Sequence, residues 1–200
     1  MKPLIASFLV CVFSGLASAA EKPNLLFIFA DDQCFRTLGS LNNDEVKTPN
    51  LDRLVAQGTT FTHAYNMGSW SGAVCLASRA MLNTGKQIWR ANKTNVKELQ
   101  DKGQLWSQLI GQAGYDTYFT GKWHVKADTK AIFTHERDTR GGMPNQTKQG
   151  YNRPIDGQED EWSPYDPKFE GFWKGGKHWS EVVADHSVDF LGMAAKEESP

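Results

Sequence analysis

Short apolar or alternating stretches recur along the first part of the chain at lengths typical of β-strands. Residues 24–30 form a continuous apolar run, which predicts a buried strand. Residues 59–65 alternate β-branched and aromatic side chains with others, and residues 115–120 have a similar composition. We therefore predict a strand in each of these stretches.

Helical spacing of apolar residues appears between and after the predicted strands. Residues 48–58 open with threonine and proline, which suit a helix cap and a first helical position, and they end at glycine. Residues 104–113 predict a second short helix, and residues 179–191 a third with one apolar face. The alternation predicts an α/β fold with a central, largely parallel (mixed) β-sheet flanked by helices. The residues expected to share the apolar face of the third helix are Val182, Val183, Phe190 and Leu191.

Regular patterning is lost between residues 126 and 178, where Gly, Pro, Trp and charged residues dominate. We predict a long loop insertion with little regular structure. Its aromatic rings and cations could form a binding element for a ligand, since loops of this length often bind ligands. An ordinary packed surface loop explains the same composition, and both interpretations stay open.

The first 19 residues have the pattern of a secretory signal peptide. Lys2 supplies the positive start, an apolar stretch follows, and Ala17-Ser18-Ala19 is a small-residue cleavage site. Cys11 is not preceded by the small residue of a lipoprotein site, so no stable membrane anchor is expected. The mature chain is predicted to begin near Ala20 and to work in the periplasm or outside the cell, where the leader favours a bacterial source.

Charge excludes one class of partner. The sequence has 22 Lys and Arg against 23 Asp and Glu, a net charge of −1. No basic field is present, so nucleic acid is not an expected partner.

Two neighbouring carboxylates, Asp31 and Asp32, follow the apolar run of residues 24–30 directly. Ligand sites of open α/β sheets gather at the carboxyl ends of strands. Paired carboxylates repel one another unless a cation lies between them, and their hard oxygens suit Ca²⁺ or Mg²⁺. A solvated loop that caps the next segment is the alternative interpretation of this dipeptide.

The most specific motif is Cys75-Leu76-Ala77-Ser78-Arg79, followed by Leu82, Thr84 and Gly85. This motif resembles the Cys-x-Ala/Pro-Ser-Arg and Leu-x-Thr-Gly signature of the type I sulfatases, members of the alkaline-phosphatase-like superfamily. The resemblance implies that Cys75 is converted after translation to Cα-formylglycine by a formylglycine-generating maturation enzyme. Its hydrated form is a gem-diol, in which one hydroxyl attacks sulfur and the other later expels sulfate. Ala77 stands where many sulfatases have Pro, which leaves the route of maturation open.

A second motif, Gly114-Tyr115-Asp116-Thr117 through Gly121-Lys122-Trp123-His124, resembles the sulfatase signature Gly-Tyr-x-Thr-x-x-x-Gly-Lys-x-His. The resemblance implies that Lys122 places a positive charge beside the sulfate oxygens and that His124 handles the proton of the formylglycine hydroxyl. Arg79, which lies one turn beyond Cys75 if a helix starts there, would stabilise the gem-diol oxygen and help hold the metal-site carboxylates. Asp31, Asp32 and the modified Cys75 are the metal ligands that the resemblance implies, with Ca²⁺ as the cofactor and Mg²⁺ as a possibility.

The other cysteine and the remaining histidines receive no catalytic role. On composition alone, Cys34 and Cys75 could form a disulfide or remain as two thiols. If Cys75 is modified, Cys34 is left beside the metal ligands, either as a buried small hydrophobic residue or as a residue that supports one of those ligands. His63, His178 and His186 are predicted to be structural or surface residues.

The resemblance covers residues 22–191 but corresponds to the N-terminal part of a sulfatase, so the fold is expected to be incomplete at the C-terminus. We expect these 200 residues to be an inactive fragment of a sulfuric ester hydrolase acting on sulfated carbohydrate or a small organic sulfate. A phosphate or phosphonate monoester hydrolase of the same superfamily and a glycan-binding module are the alternatives. The sulfated ester itself is not named by the sequence.

Overall fold

The computed structural model describes residues 22–141, 155–163, 166, 168, 177–197 and 200. Two 3₁₀ turns, at Phe35–Thr37 and Gly39–Leu41, precede the first helix. The elements that follow, in chain order, are α1 (Pro49–Gln57), α2 (Val74–Thr84), α3 (Ile88–Asn92), α4 (Val96–Asp101), α5 (Trp106–Gln112), β1 (Tyr118–Lys122), α6 (Thr129–Ile132), β2 (His135–Arg140) and α7 (Trp179–Ala194). The predicted signal peptide and most of the glycine- and tryptophan-rich stretch between 142 and 176 lie outside the described residues.

The sheet of the described chain is a parallel pair. β1 and β2 run in register from Tyr118 opposite His135 to Lys122 opposite Arg140, with an irregularity between Thr120 and Gly121. The crossover between them carries α6, as parallel pairing requires. The predicted α/β class with a parallel sheet is therefore confirmed, although the sheet is small.

Three helices agree with their sequence predictions. α1 begins at the proline and its C-cap is Gly58, α5 occupies most of residues 104–113, and α7 begins at Trp179. On α7, Val182 and Phe190 are buried as predicted, but Leu191 is exposed. The predicted apolar face is therefore narrower than the sequence indicated.

Two strand predictions are wrong. Residues 24–30 and 59–65 have no regular structure, and the apolar side chains of the first stretch are exposed, from 44% for Phe29 to 71% for Ile28. A strand exists only when a neighbour accepts its backbone hydrogen bonds, and in the described chain β1 pairs with β2 alone. Residues 24–27 instead line a cavity of about 460 Å³ with Leu82 and Trp106.

β2 and α6 are the elements that the pattern missed, because both lie inside residues 126–178, where little regular structure was expected. β2 reads His-Glu-Arg-Asp-Thr-Arg and carries no apolar alternation. Its stabilising contacts come from α7: Arg137 forms an ion pair with Asp189 at 2.9 Å, and His186 Nε2 lies 2.6 Å from Asp138 Oδ2. These contacts are tertiary, which explains why local patterning did not reveal the strand.

The described core lies between the sheet and the helices that precede it. Its centre is a group of aromatic rings in which Phe133 stacks on Phe119 at 4.9 Å and meets the edge of Trp123 at 5.7 Å. The buried members are Leu105, Trp123, Val125, Ile132 and Phe133. Because Trp123 belongs to the segment that leaves β1, the core fixes the backbone of Lys122 and His124 on either side of it.

Candidate active site

Cys75 is the second residue of α2 and lies half-buried at the helix N-terminus. Arg79 is four residues later, so both side chains project from one side of the helix. A helix does begin at this motif, with Val74 as its first residue. It ends at Gly85, whose φ of +64° closes the last turn in the left-handed conformation that glycine adopts readily.

Arg79 connects three segments of the chain. Only 7% of the residue is exposed. Its Nη1 donates a 2.5 Å hydrogen bond to the carbonyl of Lys122, its Nη2 lies 3.8 Å from Asp31 Oδ2, and its guanidinium lies 5.1 Å from the ring centre of Phe29. Burial lowers the pKa of Arg79 from its ordinary value, while Asp31 and Cys75 act in the opposite direction. The guanidinium stays charged at neutral pH because its ordinary pKa is so high.

Lys122 and His124 reach the site from the end of β1. The backbone turns sharply here, since Gly121 has a φ of +105° and His124 a φ of +62°. A Cβ at Gly121 would lie 3.6 Å from Val183 on α7. Trp123 between the two polar residues is buried in the core and its backbone N–H donates to the Arg140 carbonyl at 2.7 Å. Lys122 and His124 therefore point away from the core side that Trp123 occupies.

The imidazole of His124 faces the cysteine, with 3.4 Å between its Nδ1 and the Cys75 Sγ. Burial is the largest effect on the pKa of His124 and lowers it, and the positive charges of Lys122 and Arg79 lower it further against an opposing effect of Asp31. The neutral ring is thereby favoured. A neutral imidazole beside residue 75 can accept or return a proton.

Asp31 is the acidic member of this cluster. Its carboxylate forms an ion pair with Lys122 as well as the longer one with Arg79. Asp32 behaves differently: it is exposed, its φ is +54°, and its side chain has no hydrogen bond or ion pair with any residue that the structure describes. Only one of the two predicted carboxylates is therefore engaged with the other site residues.

A complete metal site is not assembled. Within the described ranges, no three His, Cys, Asp or Glu side chains lie close enough together to hold a metal ion. The trio of Asp31, Asp32 and Cys75 expected from the sequence is thus not gathered as a ligand set, because Asp31 turns to Lys122 and Arg79 while Asp32 faces solvent. Oxygen donors suit Ca²⁺, but two carboxylates fall short of the six to eight ligands that this ion takes.

The remaining sequence expectations have mixed outcomes. Cys34 and Cys75 are both free thiols, and Cys34 is exposed, so the buried alternative predicted for it is wrong. His186 on α7 lies against Asp138 of β2. His63 is exposed, and among the described residues its ring has a hydrogen bond with its neighbour Thr62 alone. Phe29 under the Arg79 guanidinium is a contact that sequence reasoning missed, since a separation of 50 residues leaves no local signal.

Comparison with known proteins bears directly on this cluster. The sequence profile of the sulfatase family matches residues 23–200. The chain belongs to the sulfatase family. The family resemblance of the two motifs is thereby confirmed over nearly the whole chain.

Several relatives are named sulfatases. The chain is 27% identical to an N-acetylglucosamine-6-O-sulfatase of Bacteroides thetaiotaomicron over 94% of its own length and 31% of that protein. It is 38% identical to bovine arylsulfatase A over 60% of its length and 24% of that protein, and 27% identical to an ulvan-active sulfatase of Formosa agariphila over 90% and 34%. The chain thus spans about a third or less of the length of these relatives. No solved structure matches it.

Proposed function

We propose that this sulfatase-family chain carries the nucleophile-bearing part of a sulfuric ester hydrolase and that Cys75 is the residue converted to formylglycine. The observation that carries the proposal is the convergence of Cys75, Arg79, Lys122 and His124, which come from one helix and one strand end, around a single half-buried position. Family membership and the names of the relatives support the reaction type.

Position 75 fits an aldehyde hydrate. The side chain begins in the first turn of α2, where helix amide groups favour negative charge, and its terminal atom lies 3.4 Å from a ring nitrogen of His124. The modified residue would supply the hydroxyl nucleophile that no standard side chain at this place offers. The remaining proposed roles, binding the sulfate charge and moving a proton, fall to the side chains of Arg79, Lys122 and His124.

Arg79 and Lys122 would bind the negative charge of a sulfate ester. Both cations converge on Asp31 in this structure, so they already lie together with their charges directed at one acidic group. A sulfate oxygen entering beside Asp31 meets two charged donors, which stabilise anionic oxygens more strongly than neutral donors do. His124, held neutral by burial and by these cations, would take the proton of the group on residue 75 and return it.

Asp31 and Asp32 are proposed as contributors to a Ca²⁺ site, with Mg²⁺ as the second possibility. Their carboxylate chemistry supports this, while the described residues do not assemble a complete site. No step of the reaction is assigned to the ion here.

The sulfated substrate is proposed to be a carbohydrate or a small organic sulfate, and a formylglycine-generating enzyme is the proposed maturation partner. Export to the periplasm or the medium is proposed from the leader pattern of residues 1–19. None of the helices that the structure describes has the length and hydropathy needed to cross a membrane.

The test is to co-express a protein containing this chain with a formylglycine-generating enzyme and to measure the mass of the tryptic peptide of residues 54–79 by mass spectrometry. Conversion of Cys75 to the aldehyde should appear in the peptide mass, and the peptide should react with a hydrazide probe. Cys75→Ser should lose both signals and the hydrolysis of an aryl sulfate where serine is not converted. Cys34→Ser, a change at the other free thiol, is the matched control and should keep all of them. Full activity of Cys75→Ser would overturn the proposal.

Rates on matched aryl sulfate and aryl phosphate decide between the two reaction classes. Arg79 and Lys122 would stabilise a phosphoryl group as well as a sulfuryl group, so the cations alone do not choose. Preference for the phosphate ester by the modified enzyme would favour a phosphate or phosphonate monoester hydrolase instead.

A further inference from the structure

The outer face of α3, extended by Lys93 at its C-cap, carries an exposed indole and two cations that have no ion-pair partner among the described residues. Ile88 and Ala91 point inward and are 2% and 3% exposed, whereas Trp89 on the opposite side is 70% exposed. Arg90 and Lys93 are exposed as well. Trp89 and Lys93 are four residues apart, and Arg90 and Lys93 are three apart, so the three side chains are neighbours on the helix surface. We call these three residues the α3 outer face.

Positive charge dominates the sequence around this face. From residue 85 to residue 97 there are four cations, Lys86, Arg90, Lys93 and Lys97, and no carboxylate. Lys97 forms an ion pair with Asp101 of α4, and Lys86 donates to Thr94 Oγ1 at 3.2 Å. Among the residues that the structure describes, Arg90 and Lys93 have no ion-pair partner, and the Trp89 ring has no aromatic or cationic neighbour. The charges and the ring of the α3 outer face are therefore available to a ligand.

We propose that the α3 outer face binds a sulfated polysaccharide. An exposed indole offers a flat apolar surface on which the C–H face of a sugar ring can stack. Arg90 and Lys93 flank the ring and can donate charged hydrogen bonds to sulfate groups on the same or the next sugar.

Charge complementarity favours a sulfated glycan over a nucleic acid. Nucleic-acid binding draws its affinity from about 6–10 phosphate contacts in typical cases. The α3 outer face has two free cations, and the chain as a whole has a net charge of −1. Two cations and one indole match a short segment of polymer with one or two sulfates.

This surface is separate from the candidate active site. Cys75 lies at the start of α2, and α3 begins four residues after the end of that 11-residue helix. A polymer held at the α3 outer face would contact none of the candidate active-site residues, so the binding is measurable without turnover. Failure of this proposal would leave the proposed hydrolase function unaffected, and the reverse also holds.

The test is a titration of the 200-residue chain with chondroitin sulfate, in which microscale thermophoresis measures the binding. Arg90→Gln combined with Lys93→Gln should weaken binding by about tenfold or more, because both charged hydrogen bonds to sulfate groups are lost. Trp89→Ala should weaken binding and Trp89→Phe should restore most of it. Lys130→Gln, at an exposed lysine on α6 whose side chain is 79% exposed, is the matched control and should bind as the parent does.

Two further results are expected from the same titration. Chemically desulfated chondroitin should bind much more weakly than the sulfated polymer, and added salt should weaken the binding of the parent more than that of the double variant. Equal binding of the parent and the double variant would overturn the proposal. So would equal affinity for the desulfated polymer, tighter binding of single-stranded DNA, or loss of binding that tracks with loss of the folded circular-dichroism spectrum.

Discussion

The Sγ of Cys75 lies 3.4 Å from the Nδ1 of His124, although the two residues are 49 positions apart in the sequence. One comes from the first turn of α2 and the other follows the end of β1. The two cations nearby, Arg79 and Lys122, are joined by a hydrogen bond from one to the backbone of the other. Position 75 therefore lies within reach of one imidazole and two cations, and the same cations act on the pKa of His124.

His124 should titrate below its ordinary pKa of 6.5. Burial and the charges of Lys122 and Arg79 disfavour the imidazolium in the folded protein. Because the folded-state pKa of His124 is lowered, the neutral ring contributes to folding stability fully above the pKa of the unfolded chain. That contribution is lost as the pH falls from the unfolded-state pKa through the folded-state pKa. An NMR titration of the His124 Cε1–H signal measures the pKa.

Lys122→Met is the matched variant, since it removes one cation and keeps the length of the side chain. Its His124 pKa should move up toward the ordinary value. A His124 pKa at or above the ordinary value in the parent would contradict the prediction.

Arg79→Ala should destabilise the chain by about 2–4 kcal/mol, because it leaves the Lys122 carbonyl without its donor and Asp31 with fewer charge partners. Urea unfolding followed by circular dichroism measures the free energy of unfolding. Lys102→Ala breaks an exposed ion pair with Glu98 on α4 and should change it by less than about 1 kcal/mol. Equal losses in the two variants would show that Arg79 has no special role in holding the segments together.

Gly121→Ala should destabilise the chain by about 1–3 kcal/mol, because an L-residue is strained at its positive φ. The backbone φ is +105°, and the added Cβ would lie against Val183. Gly111→Ala is the opposite control: it lies in α5 with open space around it, and alanine there should stabilise the helix by about 0.5–1 kcal/mol. Thermal unfolding of both variants tests whether stability changes in opposite directions. A Gly121→Ala protein that is more stable than the parent would disprove the predicted backbone strain at residue 121.

Calcium should bind the 200-residue chain weakly, with a dissociation constant no tighter than about 1 mM, since Asp31 and Asp32 supply only two carboxylates at the candidate site and the described residues assemble no metal-holding cluster. Isothermal titration with CaCl₂ gives the constant. Asp32→Asn should weaken it further, because it removes one of the two carboxylates proposed to contact the ion and this carboxylate has no ion pair among the described residues. Micromolar affinity lost in Asp31→Asn would mean that a fuller ligand set forms than the described residues show.

The exposed apolar run of residues 24–30 should make the chain self-associate. Ile28 is 71% exposed, and an unpaired apolar segment of this length is a ready partner for another copy. Ile28→Lys should lower the association measured by sedimentation velocity without changing the unfolding temperature. Val188→Lys, at a single exposed apolar residue of α7 that is 67% exposed, should have little effect. An equal effect of the two changes would show that the run is not the surface responsible.

Prediction from the sequence succeeded where the signal is local. α1, α5 and α7 carry their apolar spacing and their end signals within a dozen or so residues, and α2 begins at the cysteine motif. It failed for residues 24–30 and 59–65, whose composition suits a strand but which have no pairing neighbour in the described chain. It also missed β2, a charged strand that is stabilised by an ion pair from Arg137 to α7 and by the His186–Asp138 contact rather than by its own pattern.

The sequence by itself determined the family and the identity of Cys75, Arg79, Lys122 and His124, because the two motifs hold specific residue types at fixed spacings. Tertiary structure alone decided that these residues meet. It turned Asp31 toward the two cations and left Asp32 in solvent, and it placed His124 where burial and neighbouring charge lower its pKa. The physical reason is that ion pairing, burial and pKa depend on distances between segments 40 to 50 residues apart, and no local pattern of side chains encodes those distances.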